Sequence, residues 1–378
     1  MSLSVLAWDH PRATRPLAAC SDAWERLTGE RFLVTTRSLE SFGDDVPRAA
    51  GSDLVLIDHP HIGAAAAAGA IIALDELLDD HQLDLLMANS AGASQASYEH
   101  GGSHWAVAID AACQALALAL GPASEAAPAP APTLPAAEVQ SAPTFTWDDI
   151  LALSRAHPGR VALPLTPAHA ISALLSMLAA SETIAAGSRL ASDAALRSAT
   201  ATLAALAGAG PREAFGWEPP EALARLAAGE LICVPLVYAY VGYDVRWCHA
   251  PALEPGGRPG SILGGVGAAV LSTAADPRGA AQLAAWLGSA DVQLELVRSS
   301  GGQPAARCAW TAPGGEPMFA AVLPTLEASQ MRPRAPWWPE FQRRSGELLA
   351  SALRDGRHPP VVADELSRLY QHHREVTG

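Results

Sequence analysis

Two hydrophobic periods alternate along the 378 residues of the chain. Short apolar runs rich in β-branched residues predict strands at residues 3–8, 31–37, 52–57, 101–110, 160–163, 231–240 and 261–272. Apolar residues three and four apart predict helices around them. Leu17, Cys20, Trp24 and Leu27 form one stripe within residues 16–27, stopped by Gly29. The Ala-rich run 63–74 predicts another helix. Thr146-Trp147-Asp148-Asp149 is a capping box that opens a helix to Ala156. Asp276-Pro277 supplies an N-cap and a first-turn proline for a helix with the stripe Ala280, Leu283, Ala284 and Leu287. Further helices are expected at 170–180, 191–206, 220–229, 290–297, 318–327, 339–353 and 360–372. Strands alternating with helices predict an α/β fold whose polar loops lie at the carboxyl ends of the strands.

Composition narrows this picture. The chain is long enough for two lobes of roughly 150–200 residues each, and 49% hydrophobic residues can fill two cores. A formal charge of −14 argues against a nucleic-acid partner. All 25 basic residues are Arg, which together with the abundant Ala, Gly and Pro reads as a coding bias. The five cysteines are widely spaced, without Cys-x-x-Cys, and are expected as small buried apolar groups. No apolar run is long enough to span a membrane. No leader with a basic start and an apolar core precedes the first strand; a mature form with its leader removed is expected to start this way, and so is a cytoplasmic protein. Residues 121–143 are dominated by Ala and Pro and predict an extended connector. No cofactor motif is found: Gly265-Val266-Gly267 lacks the third glycine of a dinucleotide fingerprint, and there is no P-loop or Gly-x-Ser-x-Gly elbow.

An ordered set of local patterns resembles the family 1 extracellular solute-binding proteins, the maltose-binding-like receptors of ABC importers. It comprises Ala19…Ala23-Trp24-Glu25…Thr28-Gly29, Ser52-Asp53-Leu54-Val55-Leu56-Ile57, and Gly69-Ala70-Ile71-Ile72-Ala73-Leu74 followed by Asp75 to Leu78. It continues with the strand ending at Asp110, Thr146-Trp147-Asp148-Asp149, the glycine-rich strand from Ser261, Gly301-Gly302-Gln303-Pro304, and Arg332-Pro333 before a Trp pair. The resemblance implies a type II two-lobed periplasmic binding fold, each lobe a sheet flanked by helices with a ligand cleft between. Lobe 1 is expected to hold residues 1–110 and 260–305, and lobe 2 residues 111–259 and 306–378, with three crossings near Asp110, Pro259 and Ala305. It implies reversible capture of a small solute by lobe closure, no catalysis, ABC permease subunits as partners, a monomer, and a periplasmic or extracellular location.

The candidate ligand residues sit in the polar loops. Sugars offer apolar C–H faces to aromatic rings and hydroxyls to paired donors and acceptors. Trp8-Asp9-His10 with Arg12, then Asp58, His59 and His61, then His104-Trp105, supply such groups from the first lobe. His169, Tyr238, Tyr240, Trp337 and Trp338 supply them from the second. Gly265 permits close approach of another chain or a ligand. Tyr238 and Tyr240 share one strand face by the two-residue period, so both face the cleft or both face the core. Asp9 and Asp58 have helix capping as an alternative role. Trp24 and Trp286 belong to helix stripes and are expected in the core. Trp8 and Tyr238 are expected to be truncated with little loss of stability. A carbohydrate is the leading ligand class; a hydroxylated carboxylate held by Arg12 is the competitor. A transition-metal receptor built on His10, Asp58, His59 and His61, or an enzyme on the same fold, are weaker alternatives.

Overall fold

A computed structural model of the chain describes residues 2–38, 51–120 and 144–377. The connector expected at 121–143 lies outside the described residues. In chain order the elements are β1 (Ser4–Trp8), α1 (Pro11–Thr28), β2 (Leu33–Arg37), β3 (Leu54–Ile57), α2 (Ile62–Ala67), α3 (Asp80–Ala88), β4 (Glu99–His100), β5 (Ser103–His104), β6 (Val107–Ala119), α4 (Trp147–Ala156), α5 (Pro167–Ala179) and α6 (Asp193–Ala209). These are followed by α7 (Pro219–Ala227), β7 (Cys233–Tyr238), β8 (Val245–Cys248), β9 (Leu263–Val270), α8 (Pro277–Gly288), α9 (Ala290–Val292), α10 (Arg307–Thr311), α11 (Pro317–Ala328), α12 (Trp338–Arg354) and α13 (Pro359–Thr377). Two compact units result. Unit 1 holds Met1–Ala112, Gly264–Gly315 and Arg334–Pro339; unit 2 holds Cys113–Leu263, Glu316–Pro333 and Glu340–Gly378.

In unit 1, β1 pairs in parallel with β2 from Ser4↔Leu33 to Trp8↔Arg37 and with β3 at Val5↔Leu54. β9 joins β3 antiparallel, from Leu54↔Val270 to Ile57↔Gly267. Every residue of β3 is buried, as expected of a strand covered on both faces. The core gathers Val5, Leu17, Leu54, Val107, Val270 and Leu283 from β1, β3, β6 and β9 and from α1 and α8. Trp24 and Trp286 are half-buried at its margin, rings tilted at 5.1 Å. Asp276 caps α8 as the sequence predicts, accepting from the Gly279 amide at 2.9 Å.

In unit 2, the second part of β6 runs antiparallel to both β7 (Leu118↔Cys233) and β8 (Ala119↔Val245). Thr146 and Asp149 form the expected capping box of α4. In α5, every residue from Ala170 to Ala179 is buried. Leu196, Ala199, Leu203 and Leu206 form the buried stripe of α6, which packs against α5, α4 and α13. Phe341 of α12 meets Tyr370 of α13 edge-on at 5.2 Å.

Several elements differ from expectation. α1 starts at Pro11, because the His10 side chain caps it and Pro11 takes the first helical position. The run 63–74 is helical only to Ala67, since the chain is drawn into the sheet: Ile71 bridges Leu271 and the Ile72 amide donates to the Val270 carbonyl at 2.9 Å. Residues 160–163 make only a single bridge, Val161↔Cys233. β6 continues nine residues beyond Asp110, to Ala119, through an apolar Ala/Leu run whose period does not separate strand from helix. Segments 306–315 and 334–339 lie in unit 1, not with the rest of the C-terminal part. The Trp310 indole donates to the Pro304 carbonyl at 2.6 Å, and the Arg334 carbonyl rests on Gly63, where a Cβ would collide with it. Of the cysteines, Cys20, Cys113, Cys233 and Cys248 are buried, and Cys308 is only half-buried.

Gly265 explains how β9 fits beside β6. Its φ is +119°, and a Cβ there would run into the Asp110 carbonyl oxygen and come within 3.0 Å of the Ala111 Cα. The close approach anticipated for this glycine is therefore to a neighbouring strand. Gly265→Ala is expected to lower unfolding stability by about 3 kcal/mol, from backbone strain and overpacking together. Equilibrium urea unfolding measures it; a loss below about 1 kcal/mol would mean that the strands part without cost.

Candidate functional site

In unit 1 the polar loops follow the carboxyl ends of three parallel strands. The Asp9 amide donates to the Arg37 carbonyl at 2.8 Å, which holds the ends of β1 and β2 together. Asp9 is exposed and His10 half-buried. Nδ1 of His10 accepts from the Arg12 amide at 3.1 Å. Burial and then the Arg12 charge lower the His10 pKa, against the pull of Asp9. A neutral ring with Nδ1 as acceptor carries its proton on Nε2.

Arg12 is buried and grips Asp110 with two hydrogen bonds, Nε to Oδ2 at 2.7 Å and Nη2 to Oδ1. Burial pushes the Asp110 carboxyl up, Arg12 pulls it back, and Asp58 adds an upward push. A cavity of about 20 Å³ adjoins the pair, lined by Trp8, Arg12, Leu56, Ile109, Asp110 and Leu287 among others. That is room for one water, far below the space a bound solute needs.

Asp58 is half-buried and lies 3.2 Å from Nδ1 of His59. His59 is only 1% exposed and stands edge-on to Tyr98 at 6.5 Å, while the Tyr98 hydroxyl donates to the Ile57 carbonyl. His61 is half-buried. His104 belongs to a separate cluster on the β4–β5 hairpin: Nδ1 lies 3.0 Å from Asp75 and Nε2 3.4 Å from Glu99. Burial pushes Asp75 up, but the hydrogen bonds from His104 outweigh it and hold the carboxyl low. The Trp105 indole donates to the His100 carbonyl at 2.9 Å.

In unit 2, a second cluster forms where β7 ends. His169 stands in the first turn of α5, and its Nε2 lies 2.7 Å from Glu218 Oε2. The Thr166 hydroxyl donates to the other carboxylate oxygen at 3.2 Å. The half-buried Tyr238 ring lies 6.1 Å from the imidazole at a 65° tilt. Burial pushes Glu218 up, but the His169 hydrogen bond and charge, with the Thr166 hydroxyl, bring it below the usual carboxylate range.

A model of the bacterial extracellular solute-binding proteins matches residues 45–309, more than half of the chain. The chain belongs to that family. The solute-binding protein is similar along its whole length to solved structures of low sequence identity. One is an ABC transporter solute-binding protein from Thermotoga lettingae bound with α-D-tagatose: TM-score 0.81, 15% identity, 99% of each chain covered. Another, from Agrobacterium radiobacter in complex with ribitol, has a TM-score of 0.78 at 18% identity and 98% of each chain covered. The Thermus thermophilus maltotriose-binding protein bound with maltotriose has a TM-score of 0.72 at 15% identity, with both chains fully covered. These likenesses establish the type II periplasmic binding fold. No curated protein matches the chain.

The sequence-derived candidates of this solute-binding protein divide by burial. Trp8 is 5% exposed and part of the unit 1 core, so its truncation is not neutral for folding. Trp338 is fully buried and Trp337 nearly so, their rings tilted at 5.8 Å; both lie in unit 1. β7 ends at Tyr238, so the two-residue alternation does not reach Tyr240, which is buried where Tyr238 is not. Arg12 is committed to Asp110. His59 is enclosed, and among the described residues no group of three or more His, Cys, Asp or Glu is arranged to hold a metal ion. Neither Asp9 nor Asp58 caps a helix with its side chain; His10 does so for α1. Three residues were not among the site candidates: Asp110, Arg37 and Glu218. Arg37 ends the second parallel strand and donates to the Leu56 carbonyl at 3.1 Å, so the strand-end rule applies to it as well. Glu218 gives no local signal, because its partner lies 49 residues away.

Arg12→Met is expected to cost about 3–5 kcal/mol, since it strands a buried carboxylate, and the double variant Arg12→Met/Asp110→Leu to regain most of it. Urea unfolding of the three proteins decides. Equal losses in single and double variants would assign the effect to packing instead of charge.

Proposed function

We propose that the protein is the receptor of an ABC import system and captures a small, hydroxyl-rich solute, a carbohydrate or polyol, without transforming it. It does so as a monomer in the periplasm or at the extracellular face and passes the solute to membrane permease subunits. Among the described residues no helix is long and apolar enough to cross a membrane. The observation that carries the ligand class is the unit 2 cluster, where an aromatic ring, an imidazole and a carboxylate meet at one strand end. That combination suits a ligand with C–H faces and hydroxyls. Similar folds bound to tagatose, ribitol and maltotriose support the same class. In unit 1, the exposed Asp9 at the end of β1 adds a further polar group. The engagement of Arg12 by Asp110 counts against a carboxylate ligand held by that guanidinium.

A thermal-shift screen against monosaccharides, oligosaccharides, polyols, sugar acids and divalent metals tests the proposal. A bound ligand at a hundredfold excess over its Kd adds about 2.7 kcal/mol, a shift of several degrees. Tyr238→Ala is expected to weaken binding of the responding solute about three- to tenfold, with unfolding stability changed by less than about 1.5 kcal/mol. A response to metals alone, lost on chelation, would refute the carbohydrate assignment. Turnover of the compound would refute capture without transformation.

A further inference from the structure

We propose that Glu218 fixes the tautomer of His169 and so makes the unit 2 cluster select a neutral hydroxyl donor, a sugar or polyol, over the corresponding acid. The inference rests on the proposed role as a solute receptor and sharpens its ligand class.

The argument begins with the carboxylate. An ionised carboxylate only accepts hydrogen bonds. Oε2 faces His169 Nε2 at 2.7 Å, so that nitrogen must carry the proton. Oε1 is occupied by the Thr166 hydroxyl at 3.2 Å, which leaves the carboxylate held at both oxygens. Glu218 also lies between the buried Trp217 and Pro219, the first residue of α7, so its backbone is fixed on both sides. Glu218 remains ionised under ordinary conditions, because His169 and Thr166 hold its carboxyl below the usual range.

With the proton on Nε2, the neutral ring presents Nδ1 as an acceptor. Among the described residues Nδ1 of His169 makes no hydrogen bond, and the side chain keeps 13% of its exposure. A ligand hydroxyl can donate to that nitrogen. A ligand carboxylate cannot: it would place its lone pairs against the Nδ1 lone pair, close to the negative charge of Glu218. The Tyr238 ring at 6.1 Å offers the apolar surface that a sugar or polyol carbon chain needs beside such a hydroxyl. Glu218 is thus a positioning residue, acting through His169.

Two measurements on the full chain test this. The first is nitrogen-15 NMR of the histidine rings at pH 8, above the ordinary imidazole range, with His169→Asn used to assign the signal. The expected result is the Nε2–H form in the wild type and a mixture of forms in Glu218→Gln. A wild-type ring protonated at Nδ1 would overturn the proposal. The second is calorimetric titration with matched pairs of neutral sugars or polyols and their aldonic or uronic acids. Neutral solutes are expected to bind more tightly, and Glu218→Gln to weaken them about five- to tenfold, the range of one lost hydrogen bond, while narrowing the preference over the acids. Acids binding more tightly than their neutral partners would overturn this inference and leave the receptor standing. No binding by either class would overturn the proposed function and this inference with it.

Discussion

A guanidinium and a carboxylate removed together from water leave the surrounding structure little freedom. Arg12 reaches Asp110 from the first turn of α1, and both side chains are almost wholly enclosed. Either charge alone would be costly in that environment, so the helix must dock where the strand can answer it. The constraint spreads outward. His10 is spent on capping the helix that carries Arg12, Asp58 feels the charge of Asp110, and the Asp110 carbonyl closes over Gly265. Arg12 and His10, two residues with the character of ligand groups, are thereby tied to the framework of unit 1.

Both units use the same device to stabilise irregular backbone near their cores, a buried glutamine that serves as donor and acceptor at once. In unit 1, Gln293 donates to the carbonyls of Leu287 and Ile109 and accepts from the Ala305 amide. In unit 2, Gln330 donates to the carbonyls of Ala179 and Glu182 and accepts from the Ile184 amide. Each satisfies backbone groups that a loop would otherwise bury without partners. A neutral side chain does this without the desolvation cost of an ion. Gln114, Ser176 and Ser261 form a comparable closed network beside β6.

The chemistry left accessible is modest in charge. Arg12 is neutralised by Asp110, His104 is flanked by Asp75 and Glu99, and His169 is paired with Glu218. Of these, only the Arg12–Asp110 pair balances its charges; the carboxylates beside His104 and His169 leave those sites negative, which suits capture of a neutral or hydroxyl-bearing solute better than binding of an anion. The buried thiols of Cys20 and Cys113, both pushed up to about 12 by burial, are packing groups and not nucleophiles.

The sequence by itself determined the class of fold, most helices, and the strands β1 to β3 and β9 of unit 1. Period and capping are local, and Asp276-Pro277 or Thr146 to Asp149 act within one turn. Its order of motifs also pointed to the family. It placed His169 in a loop at a strand end and Tyr238 near the end of a strand, but not the partner that orients the imidazole, since Glu218 is brought to His169 only by folding. It read Arg12 as a ligand group because a lone guanidinium and one buried against Asp110 look alike in sequence. Trp8, Trp338 and Tyr240 carry the same ambiguity: an aromatic residue at a strand end or before a helix serves packing and binding equally well. Only the tertiary structure decides between them, because burial and pairing depend on residues far apart along the chain.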